Sequence, residues 1–238
     1  MMHCLVGSEM CIRDRTEPNF GSNPGGMATR CKKDGSDWII NGNKMWITNG
    51  TLADVAVVWA RDEEGIVRGF LLEKGMDGFT SSDIHGKLSL RCSVSSELSM
   101  SDVRVPDTAR LPNVEGLKGP LGCLTQARYG IAWGMVGAAI DCYNVSLEYA
   151  KERKQFSKPI AGYQLTQAKF AEMVTNITKA QLLVYRLGRL KDKGKMNFQQ
   201  VSLAKRSNCS MARDVAKTAR EILGGNGCLL YTSDAADD

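Results

Sequence analysis

Two different periods run along this chain. As far as about Pro106, apolar positions come in short runs: Trp38-Ile39-Ile40, Lys44-Met45-Trp46-Ile47-Thr48, Val55–Ala60 and Gly69–Glu73. Short runs rich in β-branched and aromatic residues predict strands. Asn41-Gly42-Asn43 separates the first two runs, and Asn-Gly in that setting predicts a hairpin turn. Asp62-Glu63-Glu64-Gly65 separates the next two as a turn. Strands at this spacing predict an antiparallel barrel or sandwich. From about Pro120 the period lengthens. Ile131, Met135, Ala138, Cys142, Val145 and Tyr149 recur at three- and four-residue steps, as do Leu165, Phe170, Met173, Ile177, Ala180, Val184, Leu187 and Leu190. These patterns predict helices. A third stretch, Val201–Leu223, stops at Gly224-Gly225. Three long helices with short links predict an antiparallel bundle. Three helices leave one bundle face open, so a fourth helix or a partner is expected there. The expected class is α+β: a strand-rich domain over 16–110, then a helical domain over 118–227 that is incomplete.

The two ends fit neither period. Residues 1–15 (MMHCLVGSEMCIRDR) read as neither helix nor strand, and residues 228–238 (CLLYTSDAADD) are equally patternless. The first has no basic segment before a clean apolar run, so no signal peptide is expected there. Both resemble translated adapter or vector sequence and are set aside as non-native.

Composition narrows the function classes. Of 238 residues, 43% are hydrophobic and 24% charged, which excludes disorder and collagen. No apolar run reaches the roughly 18 residues of a membrane helix. A net charge of +5, evenly spread, does not argue for nucleic acid. The eight cysteines include no CxxC pair, so no zinc ribbon is expected, and they read as free buried thiols in a reducing compartment. Two histidines, His3 and His85, exclude a His-rich metal site, and no metal is expected.

Four segments carry candidate chemistry. Thr16-Glu17-Pro18-Asn19-Phe20-Gly21-Ser22 is dense in hydroxyls, glycine and proline. It reads as a plain surface turn, or as a loop whose backbone closely approaches a ligand. Trp46 reads as core, or as a flat surface for a flat cofactor with Thr48 offering a hydroxyl. Arg153, Gln155, Phe156 and Gln164 lie in the link between two helices. They are dipole partners, or a grip on a phosphate and a purine. Gly224-Gly225-Asn226-Gly227 ends the last helix and lacks the strand-turn-helix setting of a dinucleotide fingerprint.

Taken together these segments resemble one family. TEPNFGS, then WIT, then an RxxF link, then ILGGNG at a helix end occur in the order and spacing of the flavin-dependent acyl-CoA dehydrogenases. The likeness runs from Thr16 to Gly227. Within the family it is greatest to the glutaryl-CoA branch, through Asn41–Asn49, Gly69–Gly75, Gly86–Arg91, Gly122–Leu124 and Ala127–Gly134.

The resemblance implies FAD as cofactor. Thr16, Glu17, Pro18, Asn19, Gly21 and Ser22 would lie against it, with Trp46, Ile47 and Thr48 packing on the flavin ring. Arg153, Phe156, Gln164, Glu221, Ile222, Leu223, Gly224 and Gly225 would hold the FAD of a neighbouring subunit in a tetramer built from dimers. Ser22 and the run Leu121, Gly122, Cys123, Leu124, Thr125, Gln126, Ala127 and Arg128 would contact the acyl-CoA. The implied reaction is α,β-dehydrogenation: a glutamate takes the α-proton of the thioester and the β-hydride passes to the flavin. In the glutaryl branch CO2 is then lost to give crotonyl-CoA, a step of lysine and tryptophan degradation. An electron-transfer flavoprotein takes the electrons. The implied compartment is the mitochondrial matrix in a eukaryote and the cytoplasm in a bacterium.

The sequence also departs from the family. The usual glutamate lies in a Tyr-Glu-Gly-Thr segment beyond GGNG, which this chain lacks. The isovaleryl branch places it one residue before the arginine matching Arg128, and Ala127 stands there. No catalytic residue is therefore assigned, and the chain alone is expected to be inactive while the full gene encodes an active enzyme. Alternatives are a dehydrogenase of another short or branched acyl-CoA, or a non-catalytic relative that binds acyl-CoA or flavin.

Overall fold

The computed structural model describes residues 12–14 and 16–228. Most of the two segments read as non-native, Met1–Cys11 with Arg15 and residues 229–238, lies outside the described residues. The chain divides into two compact units, one ending at Cys123 and the other starting at Leu124.

Seven strands form one sheet in the first unit: β1 (Ile12–Asp14), β2 (Arg30–Asp34), β3 (Asp37–Thr48), β4 (Val55–Arg61), β5 (Val67–Glu73), β6 (Phe79–Asp83) and β7 (Ser95–Pro106). Pairing is antiparallel for β2–β3, β3–β7, β6–β7 and β4–β5, and parallel only where β4 meets β1 and β2. The inward residues of β3 and β7 (Trp38, Ile40, Leu98, Met100, Val103, Val105) and of β4 and β5 (Ala56, Val58, Phe70, Leu72) share one buried core. Trp38 and Phe70 meet with ring centroids 5.5 Å apart although β3 and β5 are not neighbours, so the sheet curls upon itself. The Trp38 indole donates to Asp107 Oδ1 at 2.8 Å. Hydrogen bonds from Arg110 and then Trp38 hold the Asp107 carboxyl down to about 2.

Three expectations are corrected. Asn41-Gly42-Asn43 is not a turn: β3 runs through it, and the hairpin lies at Gly35-Ser36 between β2 and β3. Asn41 is used across the sheet instead, its amide donating to Asp102 Oδ1 while its carbonyl accepts from the Asp102 backbone N–H, both at 2.8 Å. Gly42 marks a bulge against β7. Second, Ile12–Asp14 does form a strand, pairing with Ala56–Val58. A strand edge offers unpaired N–H and C=O groups to any adjacent backbone, whatever its side-chain pattern. Third, of the described cysteines only Cys31 is fully buried, and Cys92 and Cys228 are exposed. Burial pushes the Cys31 thiol up to about 12.

The second unit is built on α1 (Lys118–Glu152), which begins in the first unit, with α2 (Gln164–Asp192) and α3 (Phe198–Leu223). A two-residue hairpin, β8 (Lys154–Gln155) and β9 (Lys158–Pro159), links α1 to α2. On α2 the predicted face is the observed one from Phe170 to Leu187, but Leu165 is exposed. On α1 the predicted face is displaced: Ala132, Val136, Ala139 and Ala150 are buried, whereas Ile131 and Val145 are exposed. α1 is apolar around most of its circumference, so periodicity does not single out a face. α3 opens with a reciprocal cap, Gln200 N–H to Asn197 Oδ1 at 2.9 Å and Asn197 N–H to Gln200 Oε1 at 3.1 Å. It stops at Gly224, whose φ of +61° suits glycine.

Candidate functional site

The site in the first unit starts from a bulge. Between Lys44 and Ile47 the register of β3 against β7 slips, and Trp46 sits at φ +64°. A bulge re-aims the side chain it carries. Trp46 is 58% exposed, which overturns its reading as core, while Ile47 is buried in the sheet core and Thr48 is exposed. A flat indole and a hydroxyl two residues further on thus stand on one strand segment.

The Thr16–Ser22 loop lies beside that segment. Thr16 C=O accepts from Met45 N–H at 2.9 Å, one residue before Trp46. Glu17 and Phe20 close a tight turn through two backbone hydrogen bonds. Pro18, Asn19, Gly21 and Ser22 are exposed, and open space lies where a Cβ on Gly21 would project. The loop and the bulge that the sequence singled out separately are therefore neighbours.

The Glu17 side chain does not face solvent. Its side chain is 3% exposed and that of Lys44 is fully buried, with Lys44 Nζ 2.8 Å from Glu17 Oε1. Lys44 also donates to the Trp59 carbonyl at 2.7 Å. The Glu17 carboxylate accepts from the backbone N–H of Thr29 at 3.1 Å and from that of Ala28. Burial works to raise the Glu17 carboxyl, but the hydrogen bonds from Lys44 and Thr29 outweigh it and hold it below the usual carboxylate value. Lys44, Ala28 and Thr29 were missed in the sequence. Lys44 did carry a signal: it occupies the inward parity of Trp38, Ile40 and Gly42, where an unpaired lysine is not tolerated.

In the second unit, Phe156, Gln164, Glu221 and Ile222 line one cleft of about 490 Å³. Phe156 is 93% exposed at the tip of the β8–β9 turn, with φ +50°, and Ser157 follows at +65°. Glu221 pairs with Lys169 at 3.1 Å. Gly224 and Glu221 line a neighbouring cleft with Arg213 and Arg220. Ile222 itself is buried in the helical core, so its side chain offers little to a ligand. Arg153, Gln164 and Gly225 are exposed, and Leu223 is half-buried.

The run Leu121–Arg128 lies in α1, and eight consecutive helical residues point around the whole axis. They cannot all line one channel. Leu121, Gly122 and Gln126 are exposed; Leu124, Thr125 and Ala127 are half-buried. Cys123 packs with Trp59 and Val67, and Arg128 Nη1 donates to Ser202 Oγ at 3.4 Å.

Among the described residues there is no group of His, Cys, Asp and Glu able to hold a metal ion, and no helix long and apolar enough to cross a membrane. Trp46 and Thr48 expose an aromatic ring and a hydroxyl on the strand segment beside the loop, and Gly21 of the loop has open space before it.

Residues 14–103 match the model of the acyl-CoA dehydrogenase middle domain, and residues 115–236 that of the acyl-CoA dehydrogenase C-terminal domain. A probable acyl-CoA dehydrogenase of Bacillus subtilis is 35% identical over 218 residues, covering 89% of this chain and 57% of that protein. The crystal structure of glutaryl-CoA dehydrogenase from Mycobacterium smegmatis is 51% identical with a TM-score of 0.87, over 91% of this chain and 56% of that one. A structure of a glutaryl-CoA dehydrogenase from the same organism in complex with FADH2 is also 51% identical, with a TM-score of 0.88 and the same coverage. The chain thus spans a little over half the length of these relatives. With both family models matched and the fold shared, the chain belongs to the acyl-CoA dehydrogenase family.

Proposed function

We propose that the protein to which this chain belongs is an FAD-dependent dehydrogenase of glutaryl-CoA, which oxidises the α,β bond of the thioester and releases CO2 to give crotonyl-CoA. The observation that carries the flavin reading is the contact of the Thr16 loop with the bulge that exposes Trp46. Identity of 51% to glutaryl-CoA dehydrogenase supports the substrate.

When bound, FAD supplies the hydride acceptor. Trp46 supplies an apolar wall for its ring, Thr48 a hydroxyl at the ring edge, and Gly21 and Ser22 a closely approachable backbone. The buried side chains of Glu17 and Ile47 support this surface from behind. In the second unit, Arg153, Phe156, Gln164, Glu221, Gly224 and Gly225 take part in holding the cofactor of a neighbouring copy, in a tetramer of two dimers. Arg128 serves the CoA moiety. An electron-transfer flavoprotein is the acceptor of the electrons, in the mitochondrial matrix of a eukaryote or the cytoplasm of a bacterium.

Steady-state kinetics of the chain extended at both ends to the length of its relatives tests this. The kcat/KM for glutaryl-CoA is expected to exceed that for butyryl-CoA by roughly tenfold or more, since a site that pairs a substrate carboxylate rejects an analogue without one. CO2 should appear in step with turnover. A preference for butyryl-CoA, or turnover without CO2, contradicts the glutaryl reading. Absence of bound flavin from the extended protein contradicts the whole proposal.

A further inference from the structure

We propose that the buried Glu17–Lys44 pair is a positioning device: it holds the Thr16–Ser22 loop against the Trp46 bulge, so that the cofactor surface exists before any ligand arrives. The inference deepens the flavin reading and rests on it for one of its two readouts.

Four separate segments meet at this pair. Glu17 comes from the loop, Lys44 from β3, the Thr29 and Ala28 N–H groups from the segment leading into β2, and the Trp59 carbonyl from β4. Both charged side chains are removed from water, 0% exposed for Lys44 and 3% for Glu17. Apolar residues of similar size generally stabilise a core as well as a buried ion pair does. What apolar residues cannot supply is direction: the carboxylate fixes the loop backbone through named donors, and Lys44 ties it to a strand. Glu17 is one residue from Thr16, whose carbonyl accepts from Met45, and Lys44 is one residue before Met45. The ion pair and the backbone hydrogen bond therefore clasp the same two neighbours, two residues from the exposed indole. Nothing in the pair points outward, so it acts through the loop and not on a ligand.

Hydrogen exchange and FAD titration on the 238-residue chain test the proposal. The double variant Glu17→Gln/Lys44→Met removes both charges while keeping similar shapes, and Glu17→Asp, which shortens the carboxylate while leaving Lys44 a charged partner, is the milder variant should the double fail to fold. Expected is a tenfold or greater rise in exchange at Phe20, Ala28, Thr29 and Met45, with β4 and β5 changed less than twofold. The FAD dissociation constant should rise tenfold or more, and Lys44→Arg in the presence of Glu17 should recover part of the loop protection. Unchanged loop exchange in a folded variant overturns the proposal. So does a loss of protection spread evenly over all strands, since the pair would then be a general support. If the unmutated chain binds no FAD, the flavin reading fails for this chain, while the exchange pattern still decides whether the pair positions the loop.

Discussion

Gly42→Ala is expected to destabilise the protein by roughly 2–6 kcal/mol. Two effects add. Gly42 has φ +147°, which side-chain-bearing residues rarely adopt, and such strain costs on the order of 1–3 kcal/mol. A Cβ there would also lie 2.5 Å from Thr29 Oγ1 and 2.7 Å from Thr29 Cα. The second neighbour is backbone and cannot swing aside, so relief needs a backbone shift of about 1–3 kcal/mol. Thr29 is the residue whose N–H binds Glu17, so the displacement would reach the loop that faces the cofactor. Urea denaturation of the two proteins measures the difference. A loss within about 0.5 kcal/mol, the range of an ordinary surface change, would mean that the close approach of Gly42 to Thr29 is not as described.

Lys44→Met is expected to cost roughly 3–5 kcal/mol at neutral pH, the usual penalty for leaving one partner of a buried pair uncompensated. The pH dependence has a definite sign. In the parent, Glu17 lies below the ordinary carboxylate value. Its contribution is thus complete above about pH 4.3 and is lost as pH falls through the lower folded value. Without Lys44, burial is the largest influence left on the carboxyl and favours the neutral acid. The variant should then regain stability relative to the parent as the pH falls. Urea midpoints at pH 7 and pH 4.5 should show the gap narrowing in acid. A gap below about 1 kcal/mol at pH 7, or one that widens in acid, would contradict the role given to the pair.

The division into strands and helices was legible because period alone separates Val55–Ala60 from the helical spacing of Phe170, Met173 and Ile177. β7 was not, because it carries no β-branched or aromatic residue before Val103, and its alternation of Leu98 and Met100 with polar residues breaks at Asp102, where φ is +52°. Asn41-Gly42 misled because its glycine meets a steric need, the approach of Thr29, and not a turn. The site was legible as motifs only. Nothing in the separate strings TEPNFGS and WIT says that they touch; that follows from a hydrogen bond between Thr16 and Met45. The buried side of Glu17 was hidden for the same reason, since a glutamate in a polar loop reads as solvated until its partner 27 residues away is known.

In the proposed function, the Thr16–Ser22 loop and the Trp46–Thr48 segment form one flavin-binding surface. Its most direct measurement is hydrogen exchange with and without FAD, on the unmutated protein and on Trp46→Ala. Expected is FAD-dependent protection centred on residues 16–23 and 45–48, with a loss of affinity of roughly 2- to 10-fold in Trp46→Ala, the worth of one aromatic stacking contact. FAD that binds while leaving both segments unprotected, and binds Trp46→Ala as tightly as the parent, would contradict it.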